Sequence, residues 1–238
     1  GLSPGIVAGI VRRGISEEKC TLVPNGCDLE IFGENQNSWR PKCVHDDQLL
    51  AVFSGTHGVA NGLGSVLDAA AVLKARKRDD IRIVLVGEGR EKPQLVARAK
   101  NEGLNNVLFL DPMPKTKLSE LLAGADIGLQ CLKNVPAFYF GTSPNKFFDY
   151  IASGLPVLNN YPGWLAGMIE DHDCGYSIVP DHPEAFANAL SDAAENRDEL
   201  IKKGQRARAL AEREFSRAEL SRRWVEWVTG TSRNARLH

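Results

Sequence analysis

Through the middle of this chain, apolar strand patterns alternate with amphipathic helix patterns, and this alternation constrains the fold more than any other feature. Short apolar runs bounded by turn residues indicate strands at 48–55, 81–87, 106–111, 126–132, 155–160 and 174–179. Helical spacing follows at 63–77, 90–103, 115–125, 143–154 and 181–196. The last of these helices is expected to have Asp181 as its cap. Such alternation predicts parallel β-α-β units with right-handed crossovers, hence an α/β fold with a doubly wound parallel sheet of the Rossmann type.

A doubly wound sheet binds its ligands beyond the carboxyl ends of its strands, at the point where the strand order reverses. Functional residues are therefore expected in the segments that follow the predicted strands. These segments are 55–62, 87–90, 111–114, 132–146 and 160–164.

The segments at the two ends do not follow the alternation. Residues 1–19 have a helical pattern, 20–24 have the pattern of a short strand, and 33–46 form a polar, irregular linker. Two more helices are expected at 198–214 and 216–228. We accordingly divide the chain into an interdomain segment with linker, the sheet domain, the C-terminal helices and a tail, at 1–47, 48–196, 197–230 and 231–238.

Composition excludes several classes of function. Lys and Arg number 29 against 30 Asp and Glu, so the basic excess typical of nucleic-acid binding proteins is absent. The 5 cysteines are scattered and form no C-x-x-C pair, which argues against a disulfide framework or a zinc site and favours a reducing compartment. No apolar run approaches the roughly 18 residues of a membrane span. We expect a cytoplasmic protein with no metal site and no nucleic-acid partner.

The most informative stretch reads GTSPNKFFDYIASGLPVL, at the start of the fourth predicted helix. Thr142, Ser143 and Asn145 surround the helix start with hydroxyl and amide groups, and Lys146 adds a cation in the first turn. A helix N-terminus with free N–H groups and a nearby cation is a favourable site for phosphate. The pattern therefore predicts a cradle for a diphosphate.

Asp149 follows Asn145 by four residues and so lies one turn further along the same helix face. A carboxylate in that position can accept two hydrogen bonds from a ribose diol. A plainer alternative stays open, in which Ser143 and Pro144 cap the helix while Lys146 and Asp149 form a solvated pair.

The loop SGTHGVANGLGS joins the first strand to its helix and is rich in glycine. Glycines let backbone N–H groups approach an anion closely, which favours a phosphate or acceptor-side loop. The loop does not match a P-loop, and it matches G-x-G-x-x-G poorly. A tight structural turn explains the same glycines, and a surface or capping role suits His57 as well as catalysis does.

Two further loops follow the second and third strands. In VGEGREK, Gly87 permits a turn, and Arg90 places a cation at a helix start, where it opposes the dipole and suggests phosphate binding. In LDPMPKTKL, prolines on both sides of Met113 extend the backbone, so main-chain groups can face a planar base. A surface arginine and ordinary loop geometry explain these two loops equally well.

Together with PNGCDLEIF at 24–32, these motifs resemble the C-terminal domain of family 4 glycosyltransferases, the retaining enzymes of GT-B fold. The blocks keep the family's order and spacing across nearly the whole chain. The resemblance is nearest to bacterial enzymes that transfer acetamido sugars, such as an N-acetylfucosamine, in O-antigen or capsule assembly. It implies a nucleotide-sugar substrate, with UDP as the expected nucleotide, and no cofactor or metal.

The resemblance also implies roles for individual residues. The diphosphate would be contacted by the helix start and the first loop, which are Ser143, Pro144, Asn145, Lys146, Gly55, Thr56, His57 and Gly58. The base would stack around Gly87 and Pro112–Met113, with Arg90 near the phosphates or the base. Asp149 matches the family's ribose-binding carboxylate. Lys146 and Asp149 are thus the catalytic candidates, and no nucleophile is identified.

The sequence departs from the family pattern at two places. Where two glutamates separated by seven residues are usual, Gly141 takes the first place and Asp149 the second. The Arg and Lys that are usual in the first loop are also absent, and Thr56, His57 and Asn61 stand near their places. We interpret both departures as a difference in the type of donor.

A third departure is the absence of the family's first domain, which carries the acceptor site and part of catalysis. We therefore expect the chain to bind nucleotide but to transfer sugar poorly alone. Its expected partners are an N-terminal acceptor domain and a lipid-linked acceptor at the inner membrane. Basic residues between Lys202 and Arg223 suit contact with an anionic membrane surface, although a solvated helix face explains them as well.

Two rival functions stay open. A sugar-nucleotide epimerase of the same architecture would carry a histidine and paired carboxylates across two domains, and the PNGCD and FFDYIASG motifs favour the transferase over it. A non-catalytic nucleotide-binding or scaffolding subunit is supported by the glycine at position 141.

Overall fold

The computed structural model describes residues 1–33 and 37–235, and a six-stranded sheet lies at its centre. The strands are β1 Leu49–Ser54, β2 Ile81–Val86, β3 Val107–Leu110, β4 Ile127–Gln130, β5 Val157–Asn159 and β6 Gly175–Ser177. They lie in the order β3-β2-β1-β4-β5-β6, and every neighbouring pair is parallel. The predicted α/β fold with a doubly wound parallel sheet is confirmed.

Helices cover both faces of this sheet. The described α-helices are α1 Pro4–Val11, α2 Gly64–Ala75, α3 Lys92–Asn101, α4 Lys115–Ala123, α5 Pro136–Gly141, α6 Asn145–Ala152, α7 Trp164–Asp171, α8 Pro183–Glu195, α9 Arg197–Glu214 and α10 Arg217–Ala235. Buried residues of α2, α3 and α8 belong to one apolar core, and most buried apolar residues of α4, α6, α7 and α9 belong to the other, whereas Leu200 of α9 belongs to the first.

β1 shows why its sequence is continuously apolar. Every residue of this strand is buried, because a central parallel strand has helices on both of its faces. Alternate side chains enter different cores, so that Val52 packs in the core that contains Phe148, and Phe53 packs in the core that contains Leu67.

The strand order reverses between β1 and β4, which are neighbours in space but not in sequence. Only Ala51 and Val52 of β1 are paired with β4, so the two strands part toward their carboxyl ends. The hydroxyl of Tyr150 bridges the gap: it accepts from the Ser54 amide at 2.8 Å and donates to the Leu129 carbonyl at 3.3 Å. The carboxyl ends of β1 and β4 therefore border an open crevice, as the doubly wound fold requires.

The N-terminal segment packs onto this domain mainly through residues near 27–32. Cys27 and Phe32 are each 1% exposed, and the Cys27 amide donates to the Phe215 carbonyl at 2.6 Å. The predicted strand at 20–24 is wrong: its Val23 amide bonds the Gly1 carbonyl, and no sheet neighbour flanks it in the described chain. The predicted helix over 1–19 is shortened to α1.

Other boundaries also differ from the prediction. Helices α5 and α7 were not predicted; α5 is a short helix of six residues with no apolar-polar period. His182, and not Asp181, caps α8, because its Nδ1 accepts from the Ala185 amide at 3.1 Å. Helix α10 continues to Ala235, beyond the predicted end at 228. Parts of the predicted linker and tail, 34–36 and 236–238, lie outside the described residues.

Many cations of α9 and α10 are paired with acidic side chains of the same surface. Arg222 pairs with Glu219 at 2.7 Å and also with Glu226, and Arg206 pairs with Glu199 at 2.6 Å. This pairing favours the solvated helix face over a surface that attracts anionic lipid. None of the described helices has the length and apolar composition needed to cross a bilayer. Within the same residues, no group of three or more His, Cys, Asp or Glu is arranged to hold a metal ion.

Candidate functional site

A cleft of about 550 Å³ opens at the carboxyl ends of β1 and β2, beside the start of α6. Its wall is built by the ends of these strands, the loops that follow β1 and β3, and the first turn of α6. The lining residues are Ser54, Gly55, Thr56, Asn61, Val86, Gly87, Glu88, Pro112, Met113, Leu118, Pro144, Asn145, Lys146 and Asp149. The structure therefore brings together most of the predicted site residues at the predicted edge of the sheet.

Lys146 crosses the cleft from α6 to the loop after β1. Its ammonium donates to the Asn61 side-chain oxygen at 2.9 Å and lies 4.7 Å from the ring centre of Phe53. Gly55, with φ of +149°, leaves room for this crossing, because a Cβ on Gly55 would lie 3.0 Å from Lys146 Cε. Burial lowers the pKa of Lys146 to about 8. Within the described chain no carboxylate pairs with this ammonium, and Lys146 is one of the residues that line the cleft.

The N-terminus of α6 has no side-chain cap. Pro144 occupies the cap position with extended backbone and offers no acceptor of its own side chain. Asn145 and Lys146, the first two residues of α6, line the cleft. Helix N-termini leave their first N–H groups without intrahelical partners and carry partial positive charge. This end of the helix is thus free to donate to an anion.

The structure corrects the expected placement of Thr142 and Ser143, which lie outside the lining. Thr142 donates its hydroxyl to the Phe138 carbonyl at 2.9 Å. Ser143 does not cap the helix, because its hydroxyl oxygen accepts from the Asn25 amide at 3.2 Å. The Asn25 side chain also donates to the Ser143 carbonyl, so these two residues join the PNG turn to the start of α6.

Asp149 lies one turn further along α6, with its side chain in the wall of the cleft, and it is 8% exposed. Burial raises the pKa of this carboxyl to about 6, although the nearby cations Lys115 and Arg217 oppose the rise. Asp149 and Asn145 also line a second cleft of about 640 Å³, which contains the same two cations. The carboxylate therefore lies on a ridge between two clefts.

The loops after β1 and β2 are in direct contact. The His57 amide donates to the Glu88 carbonyl at 2.8 Å, and the His57 carbonyl accepts from the Glu91 amide at 2.9 Å. Gly87 has φ of +141°, and a Cβ there would lie 1.9 Å from the Gly55 carbonyl oxygen. Only glycine fits this contact, because any larger residue would separate the two loops.

The structure also corrects the expectation that His57 faces the diphosphate. Its ring is fully buried, with ring centres 6.1 Å from Phe53 and 6.2 Å from Phe109. Burial, and secondarily the Lys92 charge, lowers the pKa of His57, so the neutral ring is favoured. The histidine packs the loop from below and does not reach the cleft.

Gly58 and Arg90 also lie outside the lining, contrary to expectation. Gly58 precedes a short 3-10 turn at 59–61, and its neighbour Thr56 is the exposed residue that reaches the cleft. Arg90 is exposed in the turn before α3, which begins only at Lys92. Lys92, like Arg90, is a cation near a helix start, but it was not predicted as a site residue.

The family described as "Glycosyl transferases group 1" matches residues 35–210. The chain is 24% identical to the putative colanic acid biosynthesis glycosyl transferase WcaI of Escherichia coli strain K12, over 96% of this chain and 56% of that protein. It is 27% identical to the D-inositol 3-phosphate glycosyltransferase of Nocardia farcinica, over 83% of this chain and 45% of that protein. The chain spans about half the length of these curated relatives.

Solved glycosyltransferase structures share the fold. Anabaena HepE, crystallised in complex with UDP, has a TM-score of 0.79 at 17% identity, over 97% of this chain and 63% of HepE. WaaG, a glycosyltransferase involved in lipopolysaccharide biosynthesis, has a TM-score of 0.70 at 22% identity, over 90% of this chain and 58% of WaaG. The common feature is the Rossmann-like α/β domain of GT-B enzymes.

Proposed function

Because the chain belongs to the glycosyl transferases group 1 family, we propose that it is the nucleotide-sugar-binding part of a retaining glycosyltransferase that uses a UDP-sugar. One observation carries the proposal. A single cleft at the carboxyl ends of β1 and β2 contains an uncapped helix N-terminus, the buried ammonium of Lys146 and the carboxyl of Asp149. These are the groups that a diphosphate and the ribose beside it would need.

The diphosphate binds at the start of α6. The backbone N–H groups of Asn145 and Lys146 donate to phosphate oxygens, and the helix dipole adds favourable potential. The Lys146 ammonium supplies a full charge in a place where water does not screen it well. Gly55 and Thr56 approach the same oxygens from the loop opposite.

Lys146 can also replace the cations that the first loop lacks. Its ammonium reaches Asn61, one of the residues that stand near the places of the family's Arg and Lys. A cation is therefore delivered to the first loop from α6. In this interpretation Lys146 takes the role of a lysine on the first loop. The lack of a cation at Asn61 therefore does not abolish phosphate binding.

The nucleoside extends from the diphosphate toward the ends of β2 and β3. Asp149 accepts hydrogen bonds from the ribose hydroxyls, and Gly87 with Pro112–Met113 forms the wall against which the base packs. Accepting those bonds favours the ionised carboxylate, so nucleoside binding would lower the pKa of Asp149 from about 6.

Catalysis follows from stabilising the leaving group. As the bond from sugar to phosphate breaks, negative charge grows on the diphosphate, and the α6 N–H groups with Lys146 stabilise that charge without a metal. No side chain is assigned as nucleophile; the departing phosphate acts as the base that accepts the acceptor's proton, which is compatible with retention.

For the donor and acceptor we propose an acetamido sugar and a lipid-linked acceptor at the cytoplasmic face of the inner membrane, in surface polysaccharide synthesis. The printed roles of WcaI and WaaG, colanic acid and lipopolysaccharide biosynthesis, support this assignment. A Cβ on Gly141 would meet no atom within 4 Å, so the place of the first glutamate is open space. The chain spans about half of its relatives, and we propose that a further domain supplies the acceptor site.

Calorimetric titration with UDP tests the phosphate site. Lys146→Ala is expected to weaken UDP binding at least about tenfold, because a charged hydrogen bond contributes roughly 1.5–3 kcal/mol. Lys202→Ala is the matched control, since this lysine is exposed and remote on α9, and it should bind UDP normally.

Equal UDP affinity of Lys146→Ala and Lys202→Ala would refute the assigned phosphate site. A chain that binds neither UDP, GDP nor any UDP-sugar would leave the scaffolding subunit as the remaining function, which Gly141 supports.

A further inference from the structure

Lys92 holds together the two strand ends that form one wall of the cleft. Its ammonium donates to the carbonyls of Gly87 at 2.9 Å and Leu110 at 3.3 Å. It also donates to the carboxylates of Asp111 at 2.8 Å and Glu88 at 3.2 Å. The three N–H groups of one side chain are therefore shared among four oxygens, two after β2 and two at the end of β3.

The bonds lie where the sheet itself stops. The Gly87 amide donates to the Leu110 carbonyl at 3.1 Å, and after this bond the two chains separate. Beyond it, Glu88 after β2 and Pro112 after β3 both line the cleft. Where backbone pairing between β2 and β3 ends, the Lys92 ammonium thus connects the two segments that follow these strands.

The local charges explain how a lysine whose side chain is largely buried is stabilised at this position. A cation in the first turn of α3 opposes the helix dipole, so its position there needs compensation. Asp111 and Glu88 supply it, and their bonds raise the pKa of Lys92. The Lys92 side chain is only 12% exposed, whereas that of Asp111 is 90% exposed.

We propose that Lys92 is a positioning residue that shapes the base end of the cleft, and so selects the nucleoside while leaving the diphosphate end unaffected. The proposal rests on the proposed function. Lys92 does not line the cleft; it acts through Gly87, Glu88 and the Asp111–Met113 segment. The diphosphate end is built by α6 and by Gly55 and Thr56, and the Lys92 ammonium bonds none of these in the described chain.

The test compares the affinities of UDP and inorganic pyrophosphate, measured by calorimetry on the same variants. Lys92→Met keeps most of the aliphatic part of the side chain and removes the ammonium. We expect it to lower the affinity for UDP about tenfold, because the contacts of the base are displaced. The affinity for pyrophosphate should stay unchanged. Asp111→Asn removes the charge of one exposed partner of Lys92 and is expected to lower the affinity for UDP by less than Lys92→Met does. Lys92→Arg keeps the charge and should retain part of the UDP affinity.

Arg98→Met is the matched control. Arg98 also lies on α3 and joins it to Asp68 and Glu102, at 2.5 and 2.7 Å, but it does not touch the strand ends. Its loss should lower thermal stability while the ratio of UDP to pyrophosphate affinity stays that of the unsubstituted chain.

Two outcomes would overturn the proposal, and they can be told apart by whether the unsubstituted chain binds UDP. An unchanged ratio of the two affinities in Lys92→Met and Asp111→Asn, with normal UDP binding by the unsubstituted chain, removes the positioning role alone. Failure of the unsubstituted chain to bind UDP or pyrophosphate removes the proposed function, and the positioning role with it.

Discussion

Lys146 and Asp149 lie one turn apart on α6, and burial shifts both of them toward their neutral forms. The pKa of the amine falls to about 8, and that of the carboxyl rises to about 6. Near neutral pH both groups are still mostly charged, and a bound ligand would stabilise these charged forms, since phosphate favours the ammonium and ribose hydroxyls favour the carboxylate. In the unbound site the two charged groups are partly desolvated, which costs free energy, and substrate binding would reduce that cost.

At the residue scale, Asp149→Asn tests this cost. The folded pKa of Asp149 is about 6, against 3.8 for the ordinary group, so its stabilising contribution is present below pH 3.8 and is lost as pH rises through 6. Removing the ionisable group is expected to raise the free energy of unfolding at pH 8 by up to about 3 kcal/mol, with little change near pH 4. UDP affinity should fall.

Urea unfolding at both pH values measures the effect, and Asp46→Asn, at an exposed linker position, is the control. A variant that is destabilised at pH 8, or that shows the same change at pH 4 as at pH 8, would contradict the burial of an ionised Asp149.

The positions of individual side chains were predicted from the sequence less well than the fold was. Lys146, Asp149, Gly55 and Gly87 could be identified, because their chemistry and spacing suffice to place them at a strand end or helix start. The ring direction of His57 could not, because it is decided by packing between Phe53 and a strand that is distant in sequence.

At the scale of elements, α6 is held in register with the sheet by Tyr150. Its hydroxyl accepts from the Ser54 amide and donates to the Leu129 carbonyl, and Gly128 leaves space for the ring. A Cβ on Gly128 would lie 2.5 Å from this ring. The same helix that carries Lys146 is thus fixed against the parting strands.

Tyr150→Phe is expected to lower the free energy of unfolding by about 1–3 kcal/mol, because the buried Ser54 amide loses its acceptor. Tyr176→Phe is the matched control, since that hydroxyl donates to Asp192 at a more exposed place. Denaturant unfolding with unchanged slope measures both, and equal losses in the two variants would show that the Tyr150 bridge contributes nothing special.

Elements differ in how well the sequence predicts them. β1 and β2 were predicted to within one or two residues because burial on both faces makes their apolar runs continuous. α5 was missed because none of its six residues, PAFYFG, is fully buried and the segment is too short to show an apolar period. Propensity cannot reveal a helix that is fixed by α1 and α7 packing beside it.

At the scale of the whole molecule, the net charge of −1 conceals an uneven distribution around α6. Lys146 lies in one cleft, and Lys115 and Arg217 lie in the second cleft on the other side of Asp149. The doubly wound topology and the crevice at its switch point follow from the sequence alternation. The second cleft was not predicted, because α10 reaches it from the opposite end of the chain.

The central claim is that the first turn of α6 binds the diphosphate of a nucleotide, and a crystal structure of the chain with UDP tests it most directly. The account predicts phosphate oxygens about 3 Å from the Asn145 and Lys146 amides and from the Lys146 ammonium, with the ribose on Asp149. A diphosphate bound instead between Lys115 and Arg217, with the α6 N-terminus unoccupied, would contradict it.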